Sequence, residues 1–283
     1  MDPEDILSTS LESLYGYTPI TYSIAGSIFT HTTKSSSTTE PQTVIVRTPE
    51  THHANWSLHA SSIWVSSLFL VDHLQYLGLD QHSKPVHVLE LGAGAGIPSL
   101  VIAKTFSYVF VTASDYPDER LIQTLSNNVE RNNVTRCRVV AYEWGSDVSV
   151  LGTSGDGTGG FDVIVAADTI WNSDLHIPFI KTLQMTLKKT TAARIHLVAG
   201  LHTGRYTLQA FLDAVEEAGF EFESIVEREV AGHSARSWSV ARAEDEDEHE
   251  RRRWILWISL KWRVGPHIEG AYSITSESSI NQS

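Results

Sequence analysis

Cysteine occurs once in the 283 residues, at Cys137. A chain with one thiol forms no internal disulfide and no cysteine-based zinc site. Cys137 reads as a small residue near a strand rather than as a nucleophile. Basic residues are also scarce: 21 Lys and Arg stand against 34 Asp and Glu, a formal net charge of −13. That balance argues against a broad phosphate-binding surface, so no nucleic-acid partner is expected. A basic protein or a small amine suits it better, although acidity for solubility alone explains it equally well. No apolar run approaches the roughly 20 residues that cross a bilayer. Met1-Asp-Pro-Glu-Asp5 lacks a basic-then-apolar leader, so neither a membrane association nor secretion is expected. The histidines His52, His53, His59, His176 and His196 show no metal-ligand spacing, and no metal is expected. A cytoplasmic or nuclear protein is the reading these absences leave.

What is present is an α/β pattern. Eight tryptophans and a 41% hydrophobic content are ample for a core, and the length suits one large α/β domain with appendages, or two small ones. Residues 1–55 read as an N-terminal extension holding a β-hairpin, with short strands at 20–24, 27–30 and 43–47 and an exposed loop over Thr32–Thr39. From Ser57 to Leu79 the apolar residues Ile63, Trp64, Leu68, Val71 and Leu74 recur every three or four positions, which predicts an amphipathic helix. Strands at 86–91, 108–114, 137–142, 161–167 and 194–199 then alternate with helices at 97–106, 118–132, 174–188 and 206–218. That alternation implies a parallel sheet covered on both faces. Asp118 and Glu119 suit the first turn of their helix, Asn172 or Ser173 caps the next, and Gly219 closes the last. Strands at 221–230 and 254–263 have no helical pattern between them and are expected as antiparallel neighbours joined by a polar loop. The charge run Glu244–Glu248 with Arg251–Arg253 reads as a solvated, self-compensating face of that loop. The glycine-rich Gly152–Gly160 is a flexible loop, and the polar residues 264–283 read as a disordered tail.

The chemistry concentrates where strands end. Val86-His-Val-Leu-Glu-Leu-Gly-Ala-Gly-Ala-Gly-Ile-Pro98 is a strand, a glycine turn and a helix start, the place where α/β sheets hold nucleotide-like ligands. The dinucleotide fingerprint would need a third glycine where Ile97 stands, and the Gly-Lys-Ser/Thr of a phosphate loop is missing. Asp115, about 20 residues on at the end of the second strand, suits the two hydroxyls of an adenosine ribose; capping the helix at 118 is the competing reading. Trp144 suits the wall of an adenine pocket, and packing in the core is the alternative for it and for Trp64. Asp168 and Trp171, after the fourth strand, offer an acid and a π-face to an incoming amine; a helix cap and a packed indole explain them as well. Gly200-Leu-His-Thr-Gly-Arg205 is a further loop that places His202 and Arg205 near such an acceptor, with a surface histidine as the plainer account.

Glu90-Leu-Gly-Ala-Gly-Ala-Gly-Ile-Pro98 resembles motif I of the seven-strand S-adenosylmethionine (SAM) methyltransferases. With Ser62-Ile-Trp64, Ser114-Asp-Tyr-Pro-Asp118, Glu143-Trp-Gly145 and Ala167-Asp-Thr-Ile-Trp171, the stretch from Trp56 to Arg263 resembles methyltransferase family 16. That family contains lysine methyltransferases of non-histone proteins and fungal nicotinamide N-methyltransferase-like proteins. The resemblance implies a Rossmann-like, seven-stranded sheet, mostly parallel with an antiparallel last pair, over residues 56–263. It implies SAM bound by Trp64, Glu90, Gly92, Ala93, Gly94, Asp115, Trp144 and Ala167, and an acceptor-side catalytic pair in Asp168 and Trp171. Trp171 departs from the Tyr or Phe usual in the family. It narrows the channel and brings no hydroxyl, which separates the acceptor question from the donor question. The function implied is N-methylation of a protein lysine or N-terminal amine. A small-molecule amine, nicotinamide-like acceptor is the alternative, and a SAM-binding partner without catalysis is a reading of another class. A dinucleotide-dependent oxidoreductase is disfavoured by Ile97.

Overall fold

The computed structural model describes residues 19–35, 40–152 and 160–263. Residues 36–39 of the expected hairpin loop, 153–159 of the glycine-rich loop and the tail 264–283 lie outside them. Among the described residues the first strands form an antiparallel hairpin, β1 (Ile28–Thr32) and β2 (Thr43–Arg47). Eight further strands form one sheet: β3 (Val86–Leu91), β4 (Val109–Asp115), β5 (Cys137–Ala141), β6 (Val163–Ala167), β7 (Arg194–Gly200), β8 (Phe220–Glu229), β9 (Ala235–Ser237) and β10 (Trp254–Trp262). Their order is β5-β4-β3-β6-β7-β10-β8-β9. β3 to β7 run parallel, and β10 enters between β7 and β8 antiparallel to both. The eighth strand, β9, is a three-residue addition on the edge of β8 that sequence pattern does not announce.

Alternation along the central strands divides the core. Val86, Val88, Val109, Val111, Val163 and Val165 face α1 (Val65–Asp72) and α2 (Ile97–Thr105). Leu89, Leu91, Ile164, Ala166, Ile195 and Leu197 face the other way. There they meet α4 (His176–Thr186) and α5 (Arg205–Glu217), through Phe179, Leu183, Leu208 and Phe211. α3 (Glu119–Arg131) lies on the first side, burying Leu121, Leu125, Asn128 and Val129. Its N-cap is Asp118, which accepts from the amides of Arg120 and Leu121 at 3.0 and 3.1 Å. Asn172 caps the short 3-10 turn before α4 by accepting from Asp174 N.

Three expectations are corrected. The stretch 57–79 is not one helix. It is a 3-10 turn (His53–Leu58), an extended passage, α1, and two more 3-10 turns. His59 sits at φ +52°, which ends the first turn, and Trp64 is extended and bridged to Thr21. Ile63, Val71 and Leu74 are buried all the same, so their spacing reports burial rather than helix continuity. The strand expected at 20–24 reduces to that one bridge. The β8–β10 connection is not featureless either: besides β9 it holds α6 (Glu248–Arg252). Within it Glu246 is not solvated, because its carboxylate is buried against Arg205 and Arg236.

The hairpin docks on α3 through two amide side chains. Asn128 accepts from Arg47 N at 2.8 Å and donates to Arg47 O at 2.9 Å and to Ala95 O at 3.0 Å. Asn132 treats Ile45 likewise, at 3.0 and 2.8 Å. Asn128 is fully buried, so Asn128→Ala leaves backbone groups without partners and should cost about 2 kcal/mol. Thermal unfolding should start roughly 4–8 °C lower, and the Arg47 amide should lose protection from hydrogen exchange. Unchanged protection would show that the hairpin is held elsewhere.

Candidate active site

At the carboxyl ends of β3, β4 and β6 a cavity of about 510 Å³ opens. Here the strand order reverses direction, β4 and β5 lying to one side of β3 and β6 and β7 to the other. Such a switch point leaves a crevice outside the sheet. Trp64, Glu90, Gly92, Ala93, Gly94, Asp115, Trp144, Ala167, Asp168 and Trp171 all line this one cavity.

The turn after β3 is shaped by close approach. Gly92 has φ +70°, and a methyl group there would lie 2.8 Å from Thr169 Cγ2 and 3.4 Å from Trp144 Cζ2. At Gly96, φ +85°, a methyl would sit 2.5 Å from Leu125 Cδ1. These two glycines let the turn close under the β5 and β6 loops and let α2 and α3 meet. Glu90 is buried and accepts from the Ser99 amide at 2.9 Å and from the Ser99 hydroxyl. Burial pushes its carboxyl up to about 8, against the pull of the Ser99 bonds, with the Asp115 charge adding.

Asp115 accepts from Gly94 N at 2.6 Å and Tyr116 N at 2.7 Å. Burial nevertheless pushes it up to about 6. Since Asp118 caps α3, the competing cap role for Asp115 is not used. Asp118 also accepts from His52 N at 2.9 Å and Asn55 Nδ2 at 2.8 Å, which ties the 53–64 segment to the sheet edge. That segment supplies a whole wall of the cavity, including Asn55, Leu58, His59 and Ser62. Sequence pattern divides it between the expected extension and the expected helix and singles out Trp64 alone, so Asn55, Leu58, His59 and Ser62 are lining residues it misses, as are Thr169, Tyr116 and Tyr142. On the β5 side the Trp144 ring stands edge-on to Phe179 at 4.7 Å, and Gly145 N donates to Thr182 Oγ1 at 2.8 Å.

Asp168 follows β6 with φ +53°, a left-handed conformation uncommon outside glycine. Its Oδ1 accepts from Gly200 N at 2.7 Å, and its buried Oδ2 has no partner among the described residues. Trp171 meets the edge of His59 at 5.0 Å, and Trp64 Nε1 donates to His59 O at 3.0 Å. His202 stacks on Trp64 with centroids 5.4 Å apart. Arg205 goes elsewhere. Its side chain is buried among Glu227 and Glu246, with Nη1 2.7 Å from Glu227 Oε1 and Nε 2.8 Å from Glu246 Oε2. Those bonds hold the guanidinium away from any acceptor, and the placement expected from the loop is corrected.

Residues 51–218 match a family of proteins described as lysine methyltransferases. The chain is 31% identical over 180 residues to the protein N-terminal and lysine N-methyltransferase efm7 of Schizosaccharomyces pombe, covering 60% of this chain and 68% of that one. It is 29% identical over 224 residues to the protein of the same name in Neurospora crassa, covering 72% and 74%. A solved SAM-dependent methyltransferase from Aquifex aeolicus superposes with a TM-score of 0.45 at 16% identity, over 66% of this chain and 86% of that one. The matched segment contains the glycine turn, Asp115, Trp144 and the Asp168–Trp171 stretch, and the chain belongs to the lysine methyltransferase family, as a SAM-dependent methyltransferase.

Proposed function

We propose that this protein methylates an amine on a non-histone protein, a lysine side chain or an N-terminal amine, in the cytoplasm. The observation that carries the reading is one cavity with two chemically different flanks of β3. On the β4 side stands a buried carboxylate, Asp115, whose raised affinity for protons marks a need for hydrogen-bond donors. On the β6 side stand an unpartnered carboxylate oxygen and an indole.

The residues present fit SAM. Asp115 would take the ribose hydroxyls, Trp144 and Trp64 would wall the adenosine and methionine parts, and the Gly92–Gly94 backbone would let the cofactor approach, with Ala93, Glu90 and Ala167 completing the lining. Bound there, SAM supplies a sulfonium methyl for an in-line displacement. The protein's share is to position an uncharged amine and to keep water out. Asp168 would hold the incoming ammonium and Trp171 would cover it with its π-face; the proton passes to Asp168 or to solvent before the nitrogen's lone pair attacks. The relatives named as N-terminal and lysine N-methyltransferases support a protein acceptor. The bulk of Trp171, closed further by His59, favours a small flat amine as second reading.

Labelled SAM incubated with the protein and a fractionated cell extract decides between them. Label in a discrete protein band is the expected result, and label confined to small molecules overturns the protein acceptor. Trp171→Ala should lower single-turnover methylation about tenfold, the worth of a desolvated cation–π contact, while the SAM dissociation constant stays within about twofold. Equal loss of both would contradict its place on the acceptor side.

A further inference from the structure

Asp168 presents an unusual account of its two oxygens. Oδ1 is satisfied by Gly200 N, whereas Oδ2 is buried with no partner among the described residues. A buried carboxylate oxygen left empty is costly unless something arrives to fill it. The same glycine brings in a second group. A methyl group at Gly200 would collide with Cε1 and Nδ1 of His202 and lie 3.4 Å from Asp168 Oδ1, so imidazole and carboxylate flank a residue with no side chain, with no ion pair formed between them in this structure. The imidazole is fixed from its other face by stacking on Trp64, at an interplanar angle of 10°. Trp64 and Asp168 both line the cavity, and His202 stands behind them.

We propose that His202 is a positioning residue of the acceptor site, acting through Asp168 and Trp64. Neutral, it braces the Trp64 indole and leaves the Asp168 charge to the incoming ammonium. Protonated, it pairs with Asp168 and cancels the charge that attracts the amine. This rests on the amine-acceptor reading above.

The charges around His202 are few. Asp168 faces it from the end of β6. Arg252 faces it from α6, paired with Glu248. Arg205 of α5 has its guanidinium committed to Glu227 and Glu246. β10 offers the apolar run Trp254–Ile258. Burial holds His202 below the usual histidine range, with Asp168 opposing and Arg252 reinforcing. The sign follows: His202 is neutral at neutral pH, and amine affinity should fall as acid protonates it.

The test uses n-butylammonium, the end of a lysine side chain, titrated into the full chain saturated with S-adenosylhomocysteine, while NMR follows the His202 ring. In the unaltered protein His202 should titrate below the usual 6.5, and butylammonium affinity should drop about tenfold across that midpoint. In His202→Asn, again saturated with S-adenosylhomocysteine, the affinity should be flat over the same range. Asp168→Asn should move the His202 midpoint further down, because the carboxylate that favours its protonation is gone; this reading stands even where His202→Asn folds poorly. The same pH dependence in both proteins, or a His202 midpoint indifferent to Asp168→Asn, would overturn the inference and leave the amine reading standing. No butylammonium binding at any pH, with S-adenosylhomocysteine bound, would overturn both.

Discussion

Asp115→Ala is expected to weaken SAM binding about 100-fold. A hydrogen bond to a charged group contributes about 1.5–3 kcal/mol. If Asp115 takes the two ribose hydroxyls as proposed, losing those bonds to a buried carboxylate removes about 3 kcal/mol, which is about two orders of magnitude in the dissociation constant. The carboxylate also receives the Gly94 and Tyr116 amides, so alanine loosens the glycine turn as well as the ligand contact. Asp115→Asn keeps an acceptor for one of these amides and should lose less. The pH dependence has a definite sign. An acid raised to about 6 in the folded protein holds its proton more tightly there than in the unfolded chain. Its contribution to stability is present in acid and is lost as pH rises from 3.8 through 6. Hydroxyl donors relieve the burial of the ionised form, so SAM affinity should rise between pH 5 and 7. That limb should be missing in Asp115→Asn. Calorimetric titration with SAM and S-adenosylhomocysteine measures both effects, and an unchanged affinity in Asp115→Ala would remove Asp115 from the cofactor site.

Glu227→Ala should be the most destabilising single change outside the site. Glu227 is fully buried and receives Arg205, Arg236 and Arg242, with four N–O distances of 2.7 to 2.9 Å. Burial alone would raise its carboxyl, but the Arg205 and Arg236 bonds prevail and hold it below the ordinary glutamate value. Removing it leaves the Arg205 guanidinium with Glu246 as its one remaining carboxylate and the Ser239 carbonyl as a neutral acceptor. Breaking one partner out of a buried ion pair costs about 3–5 kcal/mol, which for a chain of this size lowers the melting temperature by about 10 °C. A depressed carboxyl stabilises the fold above pH 4.5 and loses that effect as pH falls through the folded value. The acid limb of the stability profile should therefore flatten in Glu227→Ala. Arg205→Met combined with Glu227→Leu should be more stable than Glu227→Ala, since the desolvation of both ions is then avoided. Thermal scans of these variants beside the unaltered protein suffice, and an unchanged melting temperature in Glu227→Ala would show the cluster to be energetically idle.

The order of strands and helices is legible because each central strand carries consecutive branched residues buried on both faces, and because Leu121, Leu125 and Val129 mark one side of α3 at steps of four. Glu90, the glycines, Asp115, Trp144 and Asp168–Trp171 are legible for a related reason: they sit where a strand stops, and strand ends in such a sheet converge. The wall at 53–63, unlike Trp64 at its end, is not legible. No glycine or proline marks the reversal at His59, and burial of Ile63 against the sheet mimics a helical period. Arg205 misleads for a different cause. Its partners Glu227 and Glu246 lie 22 and 41 residues away, so a basic residue on a loop reads as a surface or site residue until the β8–β10 connection folds over it. β9 is three residues of edge pairing, too short to leave a pattern.

The grip of Asn128 and Asn132 on β2 touches only the amide and carbonyl of Arg47 and Ile45. These are groups every residue except proline possesses. The two asparagines therefore read the strand's backbone, while the inward-facing Val44 and Val46 add buried side chains to the core. The hairpin's outward-facing residues are left at liberty to change, provided the helix keeps its two asparagines four apart. An extension held in this way can be replaced by another extended segment of similar length that keeps apolar residues at the two buried positions, Val44 and Val46, with proline excluded at the gripped ones.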